Sequence, residues 1–154
     1  MSGNYYYIRA YCKSIAGVSY GDIKQIYQDP YLGLPTFEHN GYLYRAYPTF
    51  NYKMPQDQAQ SACNNLTYGG YSDWVLPNKA ELNTMYANKN ALGFESTNDC
   101  VVWWSREYKG RESYYYYYWA QYFYTNSSHN EGYQLGWEEN RELNVRCIRT
   151  EKRL

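Results

Sequence analysis

The sequence lacks the features that usually direct a protein to nucleic acid or to a membrane. Fifteen Lys and Arg residues are balanced by 15 Asp and Glu residues, so no net charge attracts it to an anionic polymer or lipid surface. No stretch approaches the length of a membrane span, and residues 1–17 have no apolar segment behind a basic start. We therefore expect no nucleic-acid partner, no membrane span and synthesis in the cytoplasm, unless a leader has been removed.

Groups that carry catalysis or hold metals are also scarce. The two histidines, His39 and His129, have no motif around them, and no glycine-rich phosphate loop is present. Glu138, Glu139 and Asn140 are adjacent oxygen donors, but three donors without a second carboxylate cluster are typical of a solvated loop. The four cysteines include no CxxC pair, which makes core thiols the default and leaves one disulfide open in an oxidising setting. We expect no enzyme activity, no cofactor and no metal.

Tyrosine, by contrast, is abundant, with 23 of the 154 residues. Residues 112–134 contain five consecutive tyrosines and then a run of small polar residues. A packed core would favour Leu, Ile and Val, whereas a disordered tract would avoid bulky aromatics. Tyrosine offers a large contact area and a hydroxyl at low side-chain entropy cost. The segment therefore predicts a binding surface, although tyrosines at positions 5–7, 42, 44 and 47 leave ordinary packing as the alternative.

Two predicted helices followed by a strand-rich half indicate an α+β fold, and the chain length fits one domain with a small extension. We expect residues 1–28 to be an extension packed on a domain of residues 29–154. Residues 14–28 show helical spacing of Ile23, Ile26 and Tyr27. Residues 55–66 form the clearest helix, and Asn78 resembles a capping residue that opens a second helix through about residue 87. Strands are predicted within residues 41–47, 100–108, 113–125 and 142–150.

Residues 59–149 contain a series of motifs in a consistent order. The signature A-x-x-x-C, then G-G-x-x-D-W-R-L-P-T-x-x-E-L, is matched by Ala59, Cys63, Gly69, Gly70, Asp73, Trp74, Leu76, Pro77, Glu81 and Leu82. An aromatic-Trp-Ser segment follows at residues 103–105, and a V-R-C-V-R segment at residues 145–149. On these motifs the chain resembles the bacterial and phage C-type-lectin-like domains of the formylglycine-generating-enzyme-like superfamily. Val75 and Asn78 replace the usual Arg and Thr, which puts a local salt bridge in doubt.

This resemblance implies a C-type lectin-like fold with two helices packed on small antiparallel sheets. It also implies that Cys63 on a helix and Cys147 on the final strand lie close enough to form a disulfide. Asp73 and Trp74 are interpreted as structural, because an Asp in a glycine-rich turn usually caps its own backbone. Arg146 and Arg149 are interpreted as structural partners of carboxylates. The catalytic pattern of the sulfatase-modifying enzymes in the superfamily is not evident.

The C-terminal part is most similar to the variable proteins of diversity-generating retroelements. In those proteins, mutation of adenines in Asn codons readily produces Tyr, Ser, His, Asp and Asn, the types that make up most of residues 114–130. The resemblance implies that Trp119, Gln121 and Phe123 face the scaffold. Because side chains alternate along a strand, Tyr118, Ala120, Tyr122 and Tyr124 are then predicted to face outward.

We therefore expect a tyrosine-rich variable binding surface within about residues 105–144. The candidate ligand-binding residues are Tyr108, Tyr114, Tyr116, Tyr118, Ala120, Tyr122, Tyr124, Asn126, Ser128, His129, Tyr133 and Trp137. The expected partner is a protein or glycan on a host or target surface. Formation of a homo-oligomer is left open. The expected function implies association with a virion or cell surface. The alternative is a lectin-like receptor-binding or structural component of a virion or surface appendage whose tyrosine-rich surface is fixed.

Overall fold

The computed structural model describes residues 4–15, 17–28, 33–94, 101–124 and 131–153. Its elements are β1 (Asn4–Ser14), β2 (Gly17–Gln28), β3 (Thr36–His39), β4 (Tyr42–Ala46), α1 (Gln56–Asn64), α2 (Lys79–Ala87), β5 (Val101–Glu112), β6 (Tyr115–Tyr124), β7 (Gln134–Glu138) and β8 (Ile148–Arg153). The strands form three antiparallel sheets, β1-β2, β3-β4-β8 and β5-β6-β7. The predicted α+β class is confirmed. Neither helix is long and apolar enough to cross a membrane.

The helix predicted within residues 14–28 is wrong, because this segment forms strand β2. Ile23 pairs with Arg9, and Ile26 pairs with Tyr6, in a hairpin with β1. Three apolar residues were too few to define a helical period, and the β-branched and aromatic residues of both strands favour extended backbone. Gly17, at the turn of the hairpin, has a φ of +128°, a value that side-chain-bearing residues rarely adopt. The hairpin belongs to a compact unit of residues 1–33 and 68–70.

The second compact unit comprises residues 34–67 and 71–154, and it contains both helices. Helix α1 begins after Pro55 and buries Ala59 and Cys63. Helix α2 begins with the predicted capping box, because Asn78 Oδ1 accepts from Glu81 N at 2.8 Å and Glu81 Oε2 accepts from Asn78 N at 2.7 Å. The two predicted helices are therefore confirmed, with α1 three residues shorter than residues 55–66.

A disulfide and a group of buried aromatics hold the second unit together. Cys63 of α1 is bonded to Cys147, just before β8, with their Cα atoms 5.4 Å apart, so the predicted pairing is confirmed. A cross-link over a loop of this length commonly stabilises a fold by about 2–5 kcal/mol. The largest fully buried side chains include Trp74, Trp104 and Phe123. Trp74 is therefore a core residue, as predicted.

The two arginines near the end of the chain have different surroundings. Arg149 forms ion pairs with Asp73 and Glu151, which confirms its interpretation as a partner of carboxylates. The corresponding interpretation of Arg146 stays a prediction. Arg146 Nε donates to Tyr47 O at 2.8 Å, its guanidinium lies over the Phe94 ring, and no ion pair is found for it among the described residues.

Candidate functional site

Strands β5 and β6 form a long hairpin whose two halves differ in exposure. Glu112 pairs with Tyr115 beside the turn, and Val101 pairs with Tyr124 at the other end. The turn has Ser113 at a φ of +53°. Side chains are exposed near the turn, whereas the last five residues of β6 are buried. The half of the hairpin near the turn is therefore accessible, and the other half, which we call its base, is buried.

Three tyrosine rings line one face of the accessible half. The ring of Tyr108 lies 5.5 Å from that of Tyr118 and 6.3 Å from that of Tyr116, measured between centroids. The guanidinium of Arg111 lies 5.3 Å from the centre of the Tyr116 ring. We call Tyr108, Tyr116 and Tyr118 the tyrosine face. Tyr114, 86% exposed, lies beside it in the turn. The three rings of the tyrosine face contact one another, which restricts their orientations before a ligand binds.

Two phenols of this hairpin, those of Tyr117 and Tyr118, have a pKa raised above the ordinary value. Burial raises the pKa of Tyr118, and the nearby carboxylate of Glu139 raises it further. Desolvation and the carboxylate of Glu138 likewise raise the pKa of Tyr117, whose hydroxyl donates to Glu138 Oε1 at 3.4 Å. The Tyr118 hydroxyl of the tyrosine face is therefore neutral and can both donate and accept hydrogen bonds.

The opposite face of the hairpin contacts the scaffold, as the family resemblance implied. Trp119 lies against Lys79 of α2, with the Lys79 Nζ 3.4 Å from its ring centroid. Gln121 Nε2 donates to Asn83 Oδ1 of α2 at 2.9 Å and is fully buried. Phe123 is also fully buried, with its ring 5.5 Å from that of Tyr86. Helix α2 thus supports the strand that presents the tyrosine face.

The predicted site residues fall into distinct groups by exposure. Tyr108, Tyr114, Tyr116 and Tyr133 are exposed, and Tyr118 and Trp137 are half-buried. Trp137 belongs to the same face as Tyr118, because the two residues are paired across β6 and β7. Asn126, Ser128 and His129 lie outside the described residues. The structure therefore brings Tyr108, Tyr116, Tyr118 and Trp137 together, with Tyr114 adjacent in the turn.

The prediction that Ala120, Tyr122 and Tyr124 are exposed is wrong. Ala120 is fully buried, and Tyr122 and Tyr124 are only 8% and 9% exposed. The Tyr122 ring lies 6.1 Å from that of Trp137, and the Tyr124 hydroxyl donates to Phe94 O at 3.3 Å. Alternation along a strand sets the direction of each side chain, but it does not tell whether that face is covered. Here both faces of the inner half are covered.

Sequence reasoning also missed accessible residues near the turn. Tyr115 is exposed, although its parity assigns it to the face opposite Tyr116. On β5, Lys109 is exposed, and its Nζ lies 5.6 Å from the Trp119 ring centroid. Arg111 is exposed beside Tyr116. The alternating charges of residues 106–112 could have indicated this exposure, because edge strands commonly carry charged side chains.

Comparison with known proteins agrees with the motif pattern. The family model of the Lcl C-terminal domain matches residues 35–149, which include both helices and the whole β5–β6 hairpin. No curated protein matches the chain. Because the family match covers most of the chain, this protein belongs to the Lcl C-terminal domain family.

Proposed function

We propose that this protein is a ligand-recognition protein with a C-type lectin-like fold, and that it is the variable protein of a diversity-generating retroelement. The observation that carries the proposal is the tyrosine face, a set of ordered, accessible phenol rings on a hairpin whose base is buried. Rings that are already oriented lose little conformational entropy on binding. Membership of the Lcl C-terminal domain family supports a ligand-binding role.

The energetics of the hairpin suit a surface that varies between copies of the gene. Substitutions at exposed positions such as Tyr114 and Tyr116 usually change stability by no more than about 0.5 kcal/mol. Substitutions in the buried base commonly cost about 2–5 kcal/mol. Helix α2 holds that base in place through the hydrogen bond between Asn83 and Gln121. The fold can therefore accept different side chains near the turn while it keeps the scaffold.

The proposed ligand is a protein or glycan on a target surface. Phenol rings stack on the apolar faces of sugars and on aromatic or aliphatic side chains, and their hydroxyls bond to polar groups of either. The test is binding of the labelled protein to a glycan array and to intact cells. Replacement of Tyr108, Tyr114 and Tyr116 by Ser should abolish binding.

A matched control is available in the β1–β2 hairpin. Tyr7, Tyr11 and Tyr20 are also exposed, so their replacement by Ser removes the same number of phenols from another surface. Binding should be retained in this control variant. Equal loss in both variants would contradict the assignment of recognition to the tyrosine face.

The alternative function is a fixed virion or surface component, and one observation favours it. Exposed tyrosines at positions 7, 11 and 20 show that the excess of this residue extends beyond the proposed variable region. A fixed protein would carry the same residues at positions 108–118 in all copies of its gene.

A further inference from the structure

Two carboxylates lie near the tyrosine face. Glu139 follows β7, and its backbone N donates to Tyr116 O at 2.9 Å. Asp57 is exposed in the first turn of α1, and this turn adjoins the same segment because Gln56 N donates to Glu139 O at 2.8 Å. Burial raises the pKa of Tyr118, and the charges of Glu139 and Asp57 raise it further. Both carboxylates are therefore close enough to the tyrosine face to act on its charge.

The neighbouring Glu138 has different surroundings. Its carboxylate accepts from the Tyr117 hydroxyl at 3.4 Å, and it lies 3.5 Å from Arg141 Nε. For Asp57 and Glu139, by contrast, no ion pair is found among the described residues, and the stretches outside them contain no Lys or Arg. Within the part of the chain that the structure describes, the charges of these two carboxylates are thus available to a partner.

The rings of the tyrosine face are suited to a cation. A cation within about 6 Å of the centre of an aromatic ring is attracted to the negative face of that ring. Arg111 already makes such a contact, because its Cζ lies 5.3 Å from the centre of the Tyr116 ring. The rings of Tyr108 and Tyr118 lie beside it, and no cation lies over either of them among the described residues. Tyr108 is 49% exposed, so a partner can reach it.

The same two kinds of group hold an ammonium elsewhere in this chain. Lys89 Nζ lies 4.2 Å from the centre of the Tyr86 ring and 2.9 Å from Glu131 Oε1. The hydrogen bond with Glu131 raises the pKa of Lys89, and the interaction with Tyr86 adds to this effect. A tyrosine ring with a nearby carboxylate is therefore an arrangement that favours a positive charge in this protein.

We propose that the tyrosine face binds a basic segment of a partner protein, with an Arg or Lys side chain over Tyr108 and Tyr118 and its charge near Glu139 and Asp57. Charge complementarity selects this partner, because the two carboxylates repel acidic glycans and attract neither neutral glycans nor neutral peptides. The inference rests on the proposed function and deepens it, since it names the class of ligand for the same face.

The test uses two blocked pentapeptides as probes, GRGRG and GQGQG, and follows the tyrosine signals of the protein by NMR. The Arg peptide should shift the signals of Tyr108 and Tyr118 saturably, with at least about tenfold higher affinity than the Gln peptide. Added salt should weaken its binding, because salt screens the attraction between exposed charges. Absence of these shifts, or equal affinity for the two peptides, would overturn the proposal.

A pair of double variants tests the role of the carboxylates. Asp57→Asn with Glu139→Gln removes two charges and keeps the rings, so it should weaken binding of the Arg peptide about tenfold and leave the Gln peptide unaffected. Asp22→Asn with Glu38→Gln is the matched control, because it removes the same charges at exposed positions on β2 and β3. Equal affinity of both double variants for the Arg peptide would refute the proposal. Where Asp57→Asn destabilises α1, Glu139→Gln alone should still weaken binding.

Failure of this inference is distinguishable from failure of the proposed function. The Ser variant at Tyr108, Tyr114 and Tyr116 tests recognition of cells and glycans without reference to charge. Loss of that binding, together with equal affinity for the Arg and Gln peptides, would support recognition by the tyrosine face and refute a basic ligand. Unchanged binding of the Ser variant to cells and glycans would contradict the proposed function, and with it the basis of this inference.

Discussion

Arg149 holds Asp73 through two hydrogen bonds, from Nε to Oδ1 at 2.8 Å and from Nη2 to Oδ2 at 3.2 Å. The arginine is buried, whereas the aspartate side chain is largely exposed. Val75, two residues after Asp73, pairs with Ile148 beside Arg149, so the ion pair reinforces an adjacent backbone connection. Asp73, a residue of the family motif, therefore links the segment before α2 to strand β8.

The first prediction concerns acid stability. The hydrogen bond from Arg149 lowers the pKa of Asp73 below that of an unfolded chain, and their charge attraction adds to this effect. Stability from this pair is therefore present above the unfolded pKa and is lost as the pH falls through the folded pKa. Asp73→Asn should cost about 1 kcal/mol near neutral pH, and much less in acid. Urea unfolding at several pH values measures this difference, with exposed Asp22→Asn as the control. A cost for Asp73→Asn that does not change with pH would contradict the explanation.

The second prediction concerns the disulfide. Reduction of Cys63–Cys147, or the double change to Ala, should lower the free energy of unfolding by about 2–5 kcal/mol. Thermal melts with and without a reductant measure the effect. The reductant should leave the melting temperature of the double variant unchanged. A further decrease in that variant would show that another bond contributes.

The third prediction separates the two halves of β6. Tyr122→Ser and Tyr124→Ser should each destabilise the protein by about 2–5 kcal/mol, because both side chains are buried. Tyr114→Ser and Tyr116→Ser should stay within about 0.5 kcal/mol, because both are exposed. Chemical denaturation compares the four variants. Near-neutral effects at Tyr122 and Tyr124 would show that the inner half of the strand is accessible after all.

The sequence predicted the elements that depend on local chemistry. The capping box of Asn78 and Glu81 is a pattern of adjacent residues, and it located the start of α2 correctly. The bond between Cys63 and Cys147 joins residues 84 positions apart, and only the family resemblance indicated it. The capping box was predicted from a short motif, and the disulfide was predicted from the set of motifs that the chain shares with a family.

The failures share one physical cause, which is that burial depends on distant parts of the chain. Tyr122 was predicted to be exposed, but Trp137 of β7 lies against its ring. The strand formed by residues 17–28 depends on its pairing with β1 rather than on its own apolar spacing. A cleft lined by Phe50, Phe94, Trp103, Tyr124 and Asn144 is formed by distant segments of the chain, so no local sequence pattern predicts it.

The last prediction concerns variation of the gene and rests on the proposed function. If a retroelement diversifies this protein, copies from related genomes should differ mainly at accessible positions such as Tyr108, Tyr114 and Tyr116. They should share Gln121 and Phe123, because Gln121 bonds to α2 and Phe123 fills the core, so their replacement would leave unpaired polar groups or a cavity. Sequencing the gene and its surroundings measures this pattern. A nearby reverse-transcriptase gene and a near-repeat that differs at adenines should accompany it. Identical codons at the accessible positions, without such a repeat, would instead favour the fixed surface component. That result would not contradict the fold, because both functions use the same scaffold.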